Sequence, residues 1–204
     1  MRVGRSATQL GFSLVGVLVL TSFSPSRALA QDHDSHMMTS QHQQQTAEQR
    51  KQANALVKTV REATERFLNV RTVSEAETEG YGLLFGCVSG GDFGAMGLHF
   101  VNFPLVADGK VDAATPEIVL YEPTSNGRLR ITGADYLVFA ADWDKTHTSA
   151  PELNGQLFHF FEAPNRFGLP PFYTLHVWAW KDNPNGTFTN WNPSVSCDGF
   201  NGQN

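Results

Sequence analysis

Apolar residues recur at helical spacing in the first part of the chain that follows its polar N-terminal region. From Thr46 to Val70 they fall at i, i+3, i+4 and i+7, with charged residues on the opposite face. Thr46 followed by Gln49 has the pattern of a capping box, and a second capping box at residues 72–75 predicts a short helix that ends at Gly80. We therefore predict a helical arm over residues 46–79. The apolar stripe of its long helix comprises Ala53, Leu56, Val57, Val60, Ala63, Phe67 and Leu68.

From Gly80 onward, glycine, aromatic and β-branched residues dominate, and turn signals recur at short intervals. This pattern favours β-strands, and the lack of long helical periods between them argues against parallel βαβ units. Residues 80–204 are therefore predicted to form a β-rich domain. Its strands are expected near Ala95–Phe103, Glu117–Tyr121, Arg128–Phe139, Tyr173–Lys181 and Thr187–Trp191.

Two turn sequences predict hairpins in this domain. Ser125-Asn126-Gly127 would join the second and third strands, and Asn183-Pro184-Asn185-Gly186 would join the last two, because Asn-Gly accepts the positive φ of a tight turn. Alternation along the first strand of the second hairpin places His176, Trp178 and Trp180 on one face. A histidine among tryptophans is either packed in a core or part of a binding site.

The fold class expected from these elements is α+β. An N-terminal amphipathic helix would pack on a mostly antiparallel, curved β-sheet or barrel, with a cone-shaped sheet wrapped around a long helix as the alternative. The segment from Ala140 to Pro171 is rich in proline and phenylalanine and fits an irregular crossover. Long loops of this kind often border a site.

The first thirty residues have the pattern of a signal peptide. A basic start with Arg2 and Arg5 precedes an apolar run, and Ala28-Leu29-Ala30 matches a cleavage site. The apolar run is shorter than the roughly 20 residues that span a bilayer, and no later stretch is long and apolar enough. We therefore predict a secreted or periplasmic protein without a membrane span in the mature chain.

Residues 31–45 are polar and low in complexity, which predicts a disordered tail rich in histidine and methionine. Cleavage after Ala30 would make His33 the third residue, and a free amine with a third-position imidazole suits Cu(II) or Ni(II). His36 follows three residues later and is a second candidate ligand in the tail. The alternative is a solvated tail in which Gln31 cyclises and loses its amine.

Charge and cysteine content narrow the function classes further. The chain has 15 basic and 20 acidic residues, and removal of Arg2, Arg5 and Arg27 with the signal leaves 12 basic residues and a net charge of −8. This acidity argues against nucleic acid or an anionic membrane surface as a partner. In an oxidising compartment, Cys87 and Cys197 are expected to form one disulfide.

Four polar side chains stand out because they lie in otherwise apolar strands: His99, Glu117, Asp135 and His176. Buried charges are costly and are usually paired or bound to metal. Two histidines with one or two carboxylates from different strands would match a catalytic zinc site or a two-His-one-carboxylate iron site. Each residue also has a structural explanation. Strand histidines are often hydrogen-bonded in the core, Glu117 follows Pro116 and could simply begin a strand, and Asp135 could form a salt bridge with Arg128 or Arg130.

Four segments of the β-rich domain resemble a family of secreted bacterial proteins that has no established activity: GCVSGGDFGAMGLHFVN, PEIVLYEP, GADYLVF and LHVWAWKDNPNGTFTNWNPSVSC. The resemblance spans roughly Gly80 to Cys197. It covers a Met-Gly-x-His motif that contains His99, a Pro-Glu-x-x-x-Tyr-Glu-Pro motif, and a Leu-His-Val-Trp motif that contains His176. It implies secretion and supplies no reaction. In the family, the position of Asp135 is often glutamate.

Three functions are compatible with the sequence. The first is an exported protein that binds one divalent transition metal (Zn, Fe or Cu) through His99, His176, Glu117 and Asp135, with or without catalysis. The second is a non-catalytic binder of a small apolar or aromatic molecule. The third is an envelope interaction protein that docks through its tail or helix. The pocket of the second would be lined by Trp178, Trp180, Tyr136, His159 and the phenylalanines of residues 158–167.

Overall fold

The structure is a computed structural model, and it describes residues 45–68 and 74–202. The predicted signal peptide and the histidines of the predicted tail, His33 and His36, lie outside the described residues. Helix α1 spans Ala47–Thr64, and its capping box is confirmed. The Gln49 N–H donates to Thr46 Oγ1 at 3.1 Å, and the Thr46 N–H donates to Gln49 Oε1 at 2.9 Å.

Helix α1 ends earlier than predicted, and a 3₁₀ turn over Glu65–Phe67 follows it. The change occurs at Thr64, whose hydroxyl donates to the Val60 carbonyl at 2.7 Å and accepts from Trp180 Nε1 at 2.9 Å. A threonine hydroxyl that bonds back to the preceding turn weakens a helix. The second predicted helix is confirmed as α2, Ser74–Thr78.

A six-stranded antiparallel sheet forms the rest of the fold as a curled half-barrel, which confirms the α+β class. Its order is β1-β2-β3-β4-β8-β7, and β5 and β6 form a separate small hairpin. The strands are β1 Gly82–Ser89, β2 Ala95–Val101, β3 Ile118–Pro123, β4 Leu129–Phe139, β5 Glu152–Leu153, β6 Gln156–Leu157, β7 His159–Phe161 and β8 Phe172–Val177. Two short helices, α3 Phe103–Val106 and α4 Ala140–Trp143, lie in the connections.

The hairpin between β3 and β4 forms as predicted, through the turn at residues 125–127. The hairpin predicted over residues 173–191 is wrong. Strand β8 ends at Val177, the chain turns so that the Ala179 N–H donates to the Val177 carbonyl, and residues 187–191 form no strand. The two indoles explain the break, because Trp178 Nε1 donates to the Thr189 carbonyl while Trp180 Nε1 reaches helix α1.

Strands β1 and β7 were not predicted from the sequence. Within β1, the pairing to β2 shifts between Leu84 and Cys87, so that Phe85 and Gly86 form a bulge. A bulge breaks the period of two by which a strand is recognised. Strand β7 has only three residues and lies in the proline-rich crossover.

The two faces of the sheet are covered differently. On one face, Leu56 and Val60 of α1 pack on Tyr136, Leu175 and Val177. The opposite face is covered by α3, by the loop before β8 and by the C-terminal segment. The predicted disulfide between Cys87 and Cys197 is confirmed, with the two Cα atoms 5.7 Å apart, and it ties β1 to the C-terminal segment. No helix within the described ranges is long and apolar enough to cross a membrane.

Candidate metal centre

Three buried polar side chains converge on the sheet face that does not carry α1. They are His99 on β2, Asp135 on β4 and His176 on β8. Asp135 is paired directly with His176, and His99 is paired with Leu120 of the intervening strand β3. One ligand atom from each of the three residues lies within 4.8 Å of the others. The curl of the sheet therefore brings together residues that are up to 77 positions apart in the sequence.

The distances around the cluster are short enough for a shared ion. Asp135 Oδ1 lies 3.3 Å from His176 Nδ1, and the rings of His99 and His176 meet edge to face with centroids 5.7 Å apart. Zinc bonds of about 2.1 Å in a tetrahedron hold ligand atoms about 3.4 Å apart. The side chains would need to draw in by about 1 Å to bind such an ion.

The backbone of β2 fixes the ring of His99. Its Nδ1 lies 3.3 Å from the Gly97 carbonyl, and a carbonyl oxygen only accepts, so Nδ1 carries the proton in this bond. The lone pair of Nε2 is then the one available to a ligand. Metal-binding histidines usually donate their other N–H in this way.

Thr174 orients the carboxylate of Asp135. Its hydroxyl donates to Asp135 Oδ1 at 2.5 Å, and both side chains are buried. The Leu175 backbone N–H also acts on this carboxylate, and the remaining lone pairs are available to another partner. No local pattern identifies Thr174 as a site residue, because its role depends on the pairing of β4 with β8. Thr174 is paired there with Leu137, two residues from Asp135.

His176 is the least satisfied member of the cluster. Both of its ring nitrogens are buried, and neither makes a well-aligned hydrogen bond to a described residue. The side chain of Asn190 lies beside the ring and opposes the lowering of its pKa. Asp135 Oδ1 is near Nδ1 but not aligned for a hydrogen bond. A buried polar atom without a partner costs roughly 1–3 kcal/mol, so an imidazole with two such atoms needs an explanation.

Burial controls the protonation of all three residues. Desolvation lowers the pKa of His99 to about 4, with a further decrease from His176, and lowers the pKa of His176 to about 3. Desolvation raises the pKa of Asp135 to about 6, against the influence of His99 and Thr174. At neutral pH the cluster therefore presents two neutral imidazoles and one carboxylate, which is the protonation state that metal binding requires.

A cavity of about 50 Å³ opens beside the cluster. Among the described residues that line it, the polar ones are His99, Asp135, Thr174 and His176, and they lie together. The remaining walls are aliphatic or aromatic. Their aromatic members are Phe85, Phe103, Phe139, Phe161, Phe167 and Phe172.

Glu117 does not join the cluster. It lies one residue before Ile118, which is paired with Asp135 and lines the cavity, so Glu117 points to the other side of the sheet. There its Oε2 accepts from the Leu137 N–H at 3.2 Å, and desolvation raises its pKa to about 8. Arg130, considered above as a partner for Asp135, forms its ion pair with Glu122 instead.

The four residues proposed for an aromatic pocket are not brought together around the cavity. Tyr136 packs on the α1 face, and Trp180 also lies on that side, bonded to Thr64. His159 is exposed on β7. Trp178 comes nearest, with its ring centroid 5.9 Å from that of His176. The break after Val177 separates the two tryptophans that simple alternation had grouped.

Comparisons of the chain with protein-family models, with curated proteins and with solved structures find no match. The residues that could act are therefore identified by their position, burial and chemistry.

Proposed function

We propose that this chain is an exported metal-binding protein in which His99, Asp135 and His176 hold one divalent transition metal. The observation that carries the proposal is the convergence of these three buried side chains, with ligand atoms within 4.8 Å of one another. A cation there would bind one of the two ring nitrogens of His176, neither of which has an aligned hydrogen-bond partner among the described residues.

The donor set favours particular metals. Two imidazole nitrogens and one carboxylate oxygen suit zinc, iron or copper, whereas Ca²⁺ and Mg²⁺ prefer oxygen ligands throughout. Three protein ligands leave at least one coordination position for water or a small molecule. Such a position adjoins the cavity beside the cluster, so the arrangement is compatible with either a metalloenzyme or a metal-dependent binder.

Export is part of the same proposal. The signal-like N-terminus, the single disulfide and the resemblance to secreted bacterial proteins all support it. His99 and His176 each belong to a motif on which that resemblance depends. We propose membership of that family, with secretion or a periplasmic location, and a second, weaker site at His33 and His36.

Metal content and cobalt titration test the proposal. The full chain is exported with its own N-terminal segment, and its metal is measured by elemental analysis. The protein stripped with chelator is then titrated with Co²⁺, whose visible absorption reports nitrogen and oxygen coordination. We expect about one ion per chain, with tight binding lost in His99→Ala, His176→Ala and Asp135→Asn.

Two matched variants control for general effects. His147→Ala removes an exposed histidine that stacks on Trp143, and Glu117→Gln replaces a buried carboxyl group on the other face with an amide. Both should keep one ion per chain, as should a form without residues 31–45. Unchanged binding in all three site variants would overturn the proposal, and loss on removal of the tail alone would move the site to the tail.

A second candidate function is the binding of a small apolar molecule without a metal. The mostly apolar lining of the cavity favours it. Fluorescence of Trp178, which packs beside His176, would then respond to apolar ligands equally with and without chelator. A response that requires the metal would rule this candidate out.

A further inference from the structure

The cavity beside the candidate metal centre is polar at one end only. Among the described residues around it, Asp135 is the one acidic side chain and no lysine or arginine takes part. A ligand that fills the cavity would therefore place a polar group at the cluster and apolar atoms against the other walls.

The opening of the cavity is built from phenylalanines. Consecutive strand residues normally point to opposite faces, yet Leu84 and Phe85 both line the cavity, because the bulge in β1 turns Phe85 inward. Phe85 has a φ of 66°, which is unusual for a bulky residue. Its side chain is 47% exposed and contacts the ring of Phe167, with centroids 5.6 Å apart. Phe103, 52% exposed, also borders the cavity.

Charge balance specifies the polar group. A divalent ion held by two neutral imidazoles and one carboxylate carries a net charge of +1. An uncompensated charge in an apolar cavity is costly, and no other charged side chain lines these walls in the described part of the chain. A monoanionic donor at the open coordination position would neutralise the centre.

We infer that the site binds a small amphipathic monoanion, with its charged head on the metal and a short apolar tail directed toward Phe85. The inference rests on the proposed function, since it needs the metal at His99, Asp135 and His176. Straight-chain carboxylates represent this chemical class. The cavity of about 50 Å³ is a third of the roughly 150 Å³ that admits benzene, so the buried part of the tail is short.

A homologous series tests the inference. The zinc-loaded full chain is titrated by calorimetry with the carboxylates from acetate to hexanoate, and with the primary alcohols of the same lengths. We expect affinity to rise about fourfold per methylene until the cavity is full, and then to level off. The alcohols, which bring no charge, should bind at least tenfold more weakly than carboxylates of equal length.

Two variants test whether the opening of the cavity, and not any exposed phenylalanine, limits the length of the bound tail. Phe85→Ala should let affinity continue to rise to longer chains, while the zinc stoichiometry stays the same. Phe93→Ala is the matched control, since Phe93 is exposed and does not line the cavity. It should leave the series unchanged.

The outcomes distinguish the two proposals. If none of Zn²⁺, Fe²⁺ and Cu²⁺ binds, the proposed function and this inference fail together before any carboxylate is added. If zinc binds but affinity is flat across the series, or the alcohols match the carboxylates, this inference is wrong and the metal site stands. Equal carboxylate binding to the metal-free protein would also overturn it, because the head group would then not be on the metal.

Discussion

Asp135 lies directly opposite His176 in the pairing of β4 with β8, with Asp135 Oδ1 3.3 Å from His176 Nδ1. Directly opposite residues in an antiparallel pair have neighbouring side chains, so strand register alone builds this half of the cluster. His99 lies two strands away from Asp135 and reaches it through the curl of the sheet. A slip of one residue would turn either partner to the α1 face.

Thr174→Val should weaken metal binding without unfolding the protein. The substitution keeps the shape of the side chain but removes the hydroxyl that orients Asp135. Outer-shell changes of this kind typically cost 10–100-fold in metal affinity, and we expect a loss in that range. Competition between the protein and a coloured chelator for Zn²⁺ measures it.

Thr132→Val is the matched control for that prediction. Thr132 is also a buried β4 residue, but its hydroxyl has no hydrogen-bond partner among the described residues. The control variant should keep its affinity for zinc and be at least as stable as the parent. Equal losses in both variants would mean that Thr174 acts through packing and not through Asp135.

The histidines should make the metal-free protein less stable as pH falls. The pKa of His176 is about 3 in the folded protein and near 6.5 when unfolded, and that of His99 falls to about 4. Below about pH 6.5 these two histidines bind protons in the unfolded chain but stay neutral in the folded chain, so the free energy of unfolding decreases toward pH 4. Asp135, with its pKa raised to about 6, keeps a proton in the folded state and offsets part of this loss.

Urea unfolding of the chelator-treated protein between pH 7 and pH 4.5 measures this dependence. His176→Gln should reduce the loss of stability in that range. In this variant, only His99 remains as a cluster histidine that is protonated in the unfolded chain and neutral in the folded chain. His147→Gln, at an exposed position, should leave it unchanged. An identical pH dependence in the parent and in His176→Gln would contradict the prediction.

The contrast between Asp135 and Glu117 shows what could be predicted from sequence. Both were identified as carboxylates in apolar strands, and both are buried. The two side chains lie on opposite faces of the sheet, because Asp135 is paired with Ile118 and Glu117 is the residue before it. Predicting this requires the register between β3 and β4. Local patterns identified β3, β4 and the turn between them. They do not show which residues of the two strands are paired.

Other features depend on contacts between distant parts of the chain. The grouping of His176 with Trp178 and Trp180 assumed an unbroken strand, and the break arises because Trp180 is held by Thr64, 116 residues away. The bulge at Phe85 likewise breaks the period that would have identified β1. The capping box of α1 and the disulfide were predictable because they rest on local spacing and on compartment chemistry.

Glu117→Gln should stabilise the protein at high pH and leave metal binding intact. Desolvation, with the nearby Asp135 and Asp108, raises the pKa of Glu117 to about 8, against the hydrogen bonds it accepts. A raised pKa contributes stability at low pH that is lost as pH rises from about 4.5 to 8. The variant should therefore exceed the parent in unfolding free energy at pH 8 and lose this advantage by pH 5. Loss of zinc binding in the variant would instead make Glu117 a ligand.

Gly97→Ala should damage both the fold and the metal centre. Gly97 has a φ of 87°, and a Cβ atom there would lie 2.4 Å from the Tyr121 carbonyl of β3. The left-handed backbone alone costs roughly 1–3 kcal/mol for a non-glycine residue, and the clash adds to it. Any shift of β2 that relieves the clash also moves the carbonyl that holds His99 Nδ1. Lower zinc affinity should therefore accompany the lower unfolding free energy.

Gly127→Ala separates backbone strain from the effect on the site. Gly127 has a φ of 75° in the exposed turn between β3 and β4, and an added Cβ there meets nothing within 4 Å. The two variants carry similar backbone strain, but Gly97→Ala alone disturbs the support of His99. Chemical denaturation and zinc competition on both should show a larger stability loss for Gly97→Ala and a loss of affinity confined to it. Equal affinity in the two variants would mean that the Gly97 carbonyl does not orient His99 for the metal.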